Sequence, residues 1–123
     1  MKKQVKVTEL TKDDLVHFFS DATYGCGYWD VDIKEAPKEA PMNSNHCIEE
    51  IWADVLLQGG KLQVIDVEAE EAHIIDLAKV LDGFSKCYEQ CLENIVAFEQ
   101  ENGDMWDAYN MMQVILFGEV IYA

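Results

Sequence analysis

Leu62 to Leu77 reads LQVIDV-EAEE-AHIIDL, two apolar, β-branched runs joined by four residues of which three are acids. Leu62 to Val67 is a strand by this pattern, Glu68 to Glu71 is the turn, and His73 to Leu77 is the returning strand of a hairpin. Asp76 is placed to cap a helix, because its carboxylate can accept from the first free backbone N–H groups. From there Leu77, Val80, Leu81, Phe84, Tyr88, Cys91, Leu92, Ile95 and Phe98 keep helical spacing. One unbroken helix to Gln100 is expected, roughly 35 Å long at ~1.5 Å per residue. Gly83 inside it should weaken it by ~1 kcal/mol relative to Ala without breaking it.

Upstream, Val5 and Val7 alternate with Lys6 and Thr8, so Lys2 to Thr8 reads as a short strand or extended arm. Thr11 is an N-cap, and Asp13 and Asp14 fill the first turn, where the helix dipole favours acids. Leu15, Phe18, Phe19 and Ala22 form one apolar face, and the helix should stop at Tyr24 or Gly25. Tyr28 to Ile33 alternates as a short strand. Residues 34–45 hold Pro37 and Pro41 and read as a loop, after which Ser44 or Asn45 caps a second helix. Its apolar stripe is Cys47, Ile48, Ile51, Trp52, Val55 and Leu56, and Gly59-Gly60 ends it. Downstream, Asn102-Gly103 stops the long helix, Asp104 or Asp107 caps a last one that is densely apolar from Ala108 to Phe117, and Val120 to Tyr122 adds a terminal strand. The fold expected is α+β in a single domain over 1–123. Its small antiparallel sheet is the hairpin at about 62–77 plus one or two short strands, packed by about four helices on one face.

The 123 residues carry 24 acids against 9 lysines and no arginine, a net charge of −15. Phosphate contacts come mostly from Arg and Lys, so direct nucleic-acid binding is not expected. No apolar run approaches the ~18 residues that span a bilayer. The opening Met-Lys-Lys has no apolar stretch after it, so a cytoplasmic protein with reduced thiols is expected. The acidity is uneven: residues 1–61 hold 7 lysines and 11 acids, residues 62–123 hold 2 and 13, and none of the lysines follows Lys86. Glu89, Glu93, Glu99, Glu101, Asp104 and Asp107 are therefore candidates for a surface that docks a basic partner, with Glu89 and Glu93 on one helix face.

Tyr24 to Asp30 packs three aromatics, two glycines, a thiol and a carboxylate into seven residues. Tyr24, Tyr28 and Trp29 form a candidate recognition corner, with Asp30 and Asp32 on one strand face beside it. The alternative occupant of that corner is a small molecule or nucleotide, its base stacked on the aromatics. The four cysteines, Cys26, Cys47, Cys87 and Cys91, lack zinc-finger spacing even with His46 beside Cys47, and the acids around Cys26 work against a thiolate nucleophile. No catalytic residue, metal site or cofactor follows from these patterns. A non-enzymatic protein is the expectation, and its apolar carboxy-terminal segment offers a homodimer interface as a further possibility.

Asp21-Ala22 with Gly25 and Tyr28-Trp29, then Gly59-Gly60-Lys61-Leu62 leading to Asp66 and Glu68, then Leu77, and finally Gln113 with Leu116-Phe117-Gly118-Glu119 form an ordered set of islands. In that order the chain resembles an uncharacterised family of small acidic proteins from phages, prophages and mobile elements of Gram-positive bacteria. Family members carry a cysteine after the Tyr-Trp pair; here Asp30 stands there and the nearest thiol is Cys26, so no cysteine role carries over. The resemblance implies an intracellular, phage-linked accessory role. With the charge, it leads to an expected inhibitor of a host nucleic-acid-binding protein, for example a CRISPR or other defence effector, that mimics nucleic acid with carboxylates. A homo-oligomeric structural protein and a nucleotide-binding sponge are the alternatives.

Overall fold

The computed structural model describes residues 5–24, 27–37 and 47–122. The elements run α1 (Lys12–Thr23), β1 (Trp29–Glu35), α2 (Ile48–Leu57), β2 (Lys61–Asp66), β3 (Glu71–Ile75), α3 (Leu77–Gln90), α4 (Leu92–Glu99) and α5 (Met105–Phe117). The strands form one antiparallel sheet in the order β1-β2-β3. This is the small α+β fold expected, with five helices among the described residues.

Period-2 alternation explains how the sheet sits. Trp29, Val31 and Ile33 pair across β2 with Asp66, Val64 and Leu62, and Leu62 and Val64 pair with Ile75 and His73. That face carries the buried residues Trp29, Leu62, Val64 and Ile75. Asp30, Asp32, Gln63, Ile65, Ala72 and Ile74 fall on the opposite face, which is more exposed. The helices supply the rest of the core. Phe18 and Phe19 of α1, Phe84 of α3 and Phe98 of α4 meet edge to face, with ring centroids 5.2 Å apart for Phe18–Phe84 and 5.7 Å for Phe84–Phe98. α5 runs through the middle, with Ala108, Tyr109 and every residue from Met111 to Leu116 buried. The apolar segment that suggested a dimer interface is thus consumed by the chain's own core.

Local chemistry sets the helix ends. Thr11 Oγ1 accepts from Asp14 N–H while the Asp14 carboxylate accepts from Thr11 N–H, and Asp104 and Asp107 repeat this reciprocal box at the start of α5. Asp76 caps α3 by accepting from Lys79 N–H at 2.9 Å. Four expectations are decided by the structure. First, Cys47 is the N-cap of α2 and makes no side-chain cap bond there, while Ser44 and Asn45 lie outside the described residues, as do Pro41 and Gly25. Second, of the strand or extended arm expected over Lys2 to Thr8, residues 5–8 take the arm; Val7 N–H donates to Ser85 Oγ at 2.8 Å, which ties it to α3.

Third, the long helix is two. Cys91, at φ −153° and ψ 60°, breaks it, and the break lies eight residues beyond Gly83. The bend swings α4 so that Phe98 meets Phe18 and Phe84, and Asn94 Nδ2 reaches Asp107 Oδ1 at 2.8 Å. Those contacts outweigh the turn of helix lost at Cys91. Fourth, Val120 to Tyr122 forms no strand. The N–H groups of Ile121 and Tyr122 both donate to Oε1 of the buried Gln113, at 2.8 and 2.7 Å, so a side chain satisfies the backbone that a sheet would otherwise have to satisfy. No helix among the described residues is long and apolar enough to cross a membrane.

Candidate functional site

Two features of the surface combine chemistry from distant parts of the chain. The first is acidic. The arm brings Glu9, α1 brings Asp13 and Asp14, and the end of α4 brings Glu99 and Glu101. Together they surround a cavity of about 320 Å³ whose apolar side includes Phe84, Tyr88 and Phe98. None of the residues lining this cavity is a lysine. Two of the described lysines pair with acids elsewhere, Lys12 with Asp54 at 3.1 Å and Lys86 with Asp82 at 3.0 Å.

The carboxylates interact. Burial, and then the Asp14 charge, push the Glu99 carboxyl above its ordinary value. Burial also raises the Asp21 carboxyl; His17, 3.1 Å away, pulls it down, and the Asp104 and Asp107 charges push it up again. Two acidic groups thus form at the two ends of α1: Asp14 with Glu99 of α4, and Asp21 with Asp104 and Asp107 at the start of α5. For the Glu99 and Asp21 carboxyls alike the folded state holds its proton more tightly than the unfolded chain. Each is therefore a penalty at neutral pH, relieved as pH falls through the raised folded value. Glu99→Gln should melt at a higher temperature than the parent at pH 7, and that advantage should shrink as the pH is lowered toward 4.5, the ordinary value for Glu. Thermal melts of both proteins across that range check it.

Glu101 adds strain. It occupies φ +59° just past the C-cap of α4, where Asn102 N–H reaches Ala97 C=O at 2.9 Å and Glu101 N–H reaches Phe98 C=O at 3.1 Å. Glycine is the usual residue in this closing turn. Glu101→Gly is expected to stabilise the protein by about 0.5–1 kcal/mol, since relief of ~1–2 kcal/mol of left-handed strain exceeds the entropy gained by the unfolded chain. Urea unfolding of the two proteins reads this directly.

The expected acidic residues separate into groups. Glu99 and Glu101 rim the cavity. Asp104 and Asp107 stand by Asp21, but their oxygens are largely occupied by the cap of α5 and by Asn94. Glu93 is exposed at the start of α4. Glu89 lines a separate groove of about 590 Å³ between residues 5–8 and α3, beside Lys6 and Lys86. The break at Cys91 puts Glu89 and Glu93 on different helices, so they do not share a helix face. Glu9, Asp13, Asp14 and Asp21 are additions that the sequence did not single out, since only the packing of α1 and the arm brings them here.

The second feature is aromatic. Tyr28, Trp106, Tyr109 and Tyr122 line a cavity of about 320 Å³ together with Glu68. Tyr28 lies 4.7 Å from Tyr109 and 6.1 Å from Trp106, ring centre to ring centre, and Trp106 meets Tyr109 at 90°. Tyr122 OH donates to Asp66 Oδ2 at 2.6 Å, and this hydrogen bond, with some help from burial and neighbouring acids, pushes the phenol up to about 12. Of the expected corner, Tyr28 alone lines this cavity. Tyr24 is 83% exposed at the end of α1, Trp29 is buried in the core, and Asp30 and Asp32 point to the open face of the sheet. Asp30 and Asp32 do share a strand face, as their spacing requires. Tyr28 and Trp29 both pack on Tyr109, with ring centres 4.7 and 5.7 Å away, but Trp29 does so from inside the core and Tyr24 stays in solvent at the end of α1, so the three expected rings do not form one surface.

No protein-family profile, curated protein or solved structure matches the chain. The site has to be read from its own chemistry. The two buried thiols shift in opposite directions: the Cys91 sulfur alongside, and then burial, push the Cys87 thiol far above the usual range, while the hydrogen bond with Cys87 lowers the Cys91 thiol. Cys47 is exposed, and its thiol donates to Glu50 Oε1 at 3.3 Å. Cys26 and His46 lie outside the described residues. Among the described residues no three His, Cys, Asp or Glu side chains are grouped to hold a metal ion.

Proposed function

We propose that the chain is a non-enzymatic accessory protein, phage or mobile-element in setting, that binds a basic nucleic-acid-handling protein of its bacterial host. Its acidic face would occupy the partner's nucleic-acid surface, with carboxylates meeting the Lys and Arg side chains that phosphates would otherwise meet. The observation that supports this reading is where the acids sit. Glu99 lies in the last turn of α4, the end at which the helix dipole disfavours negative charge, and Asp14 adds repulsion to it. Glu101 holds a left-handed position that glycine would fill with less strain. Asp13 and Asp14 favour the start of α1, but solubility alone gives no reason for Glu99 and Glu101 to sit beside them where each costs stability. Local rules broken together on one face are the usual mark of a surface kept for binding.

The test is affinity capture from a Gram-positive host lysate at low salt, followed by a salt gradient and mass spectrometry. One basic, nucleic-acid-handling protein should be retained and then released by salt, because screening shortens the reach of exposed charges. Reversing two rim charges together, Glu99→Lys with Glu101→Lys, should abolish retention. Retention that salt does not weaken, or that survives the double reversal, contradicts the reading.

A further inference from the structure

We propose that the cavity formed by Tyr28, Glu68, Trp106, Tyr109 and Tyr122 is a binding site for an organic cation, an alkylated ammonium or a guanidinium head group. The inference stands apart from the acidic face, since it rests on different residues.

Four of the five lining side chains are aromatic. The face of an aromatic ring is electron-rich, and a cation within about 6 Å of the ring centre is attracted to it. The rings here meet at steep angles, 47° for Tyr28 on Trp106 and 90° for Trp106 on Tyr109. The three rings touch one another, with centres 4.7, 5.9 and 6.1 Å apart, so a rounded head group would rest on their outward faces, and no two walls are parallel as a flat base would need. Tyr122 donates its hydroxyl proton toward the buried Asp66 carboxylate, 2.6 Å away, and this polarisation leaves its ring richer in electron density.

Charge selects the sign of the ligand. Glu68 is the fifth lining residue, and none of the five is basic, so a phosphate or carboxylate ligand would meet repulsion. A nucleotide is disfavoured for the same reason. The net charge of −15 raises the local concentration of any cation at the surface. The volume, about 320 Å³, is at the small end of ligand sites, enough for a head group. Trp106 is half exposed, so the cavity has an accessible wall.

The test is an NMR titration of the full chain, following the Trp106 indole N–H. The probes are tetramethylammonium chloride, choline, and 3,3-dimethylbutan-1-ol, which has choline's shape without its charge, with sodium chloride holding ionic strength constant. The two cations should shift the Trp106 resonance saturably, and the neutral analogue should bind about tenfold more weakly or not at all. Trp106→Leu keeps an apolar side chain but removes the ring face, and should weaken cation binding about tenfold. In that variant binding is followed at the tyrosine ring protons, and its circular dichroism should match the parent. Glu68→Gln should weaken it by a smaller factor. Arginine amide and a trimethyl-lysine peptide form a second arm. Tighter binding there than to tetramethylammonium assigns the cation to a partner's side chain, and the reverse assigns it to a free small molecule; either supports the site. Equal binding of choline and its neutral analogue, parent-like binding by Trp106→Leu, or no saturable shift overturns the proposal.

Discussion

Asp66→Ala should destabilise the protein by about 3 kcal/mol or more, because one buried carboxylate organises two parts of the chain at once. Asp66 is 1% exposed at the end of β2. Its Oδ1 accepts from Glu68 N–H at 3.0 Å and Ala69 N–H at 3.3 Å, which shapes the turn between β2 and β3. Its Oδ2 accepts from Tyr122 OH at 2.6 Å, which anchors the tail. Hydrogen bonds to a charged acceptor contribute about 1.5–3 kcal/mol each when buried; water can replace part of the two at the exposed turn, and the Tyr122 bond is the harder to replace. Asp66→Asn keeps an acceptor for the turn, and the phenol can reorient to accept from the new amide, so it should lose about half as much or less. Urea unfolding of the three proteins checks the order, and Asp66→Ala within 1 kcal/mol of the parent, the middle of the ordinary range for a single hydrogen bond, would refute it.

Gly83→Ala should also destabilise, by about 1–3 kcal/mol, and here the sign carries the information. In an isolated helix the same change gains about 1 kcal/mol. Gly83, however, is where α3 crosses α5. A Cβ built there lies 2.5 Å from Ile115 Cγ1 and 2.7 Å from Ile115 Cα. The side-chain atom can move, but the Cα belongs to the backbone of the most buried helix, so the two helices must part. Their separation would loosen the packing of Met111, Met112 and Ile115 against the rest of the core. A stabilising Gly83→Ala would mean that α3 and α5 do not approach so closely.

Features with a local cause were legible in the sequence. The hairpin follows from alternation in Leu62 to Asp66 and the acidic turn after it. The caps at Thr11, Asp76 and Asp104 follow from side chains two or three residues from the N–H groups they bind. The break at Cys91 has no such signature, with neither glycine nor proline there, and is set by where Phe98 and Asn94 find partners. The fate of the tail was hidden for the same reason: Gln113, eight residues before Ile121, takes its N–H groups. Gly83 is a weakness within its own helix, and its reason lies in a second one, where Ile115 leaves no room for a Cβ. In the candidate site, Glu99 and Glu101 were legible from the absence of lysine after Lys86. Their companions Glu9, Asp13 and Asp14 were not, because a run of charge says nothing about which helix will pack beside it. The aromatic cavity draws on residues 28, 68, 106, 109 and 122, and no spacing rule joins those positions.

The central claim, that one acidic face rather than overall acidity makes the interaction, is tested most directly by two variants of equal net charge. One neutralises the face with Glu9→Gln, Asp13→Asn, Glu99→Gln and Glu101→Gln, all exposed and none a helix cap. The other neutralises four exposed acids that do not line that cavity, with Asp30→Asn, Glu70→Gln, Glu71→Gln and Glu119→Gln. Both are compared with the parent for capture of the basic partner from host lysate at the same low salt. The account predicts that the face variant loses the partner while the control retains it at the parent's level. Equal loss in both variants, or capture by the face variant at the parent's level, would contradict it.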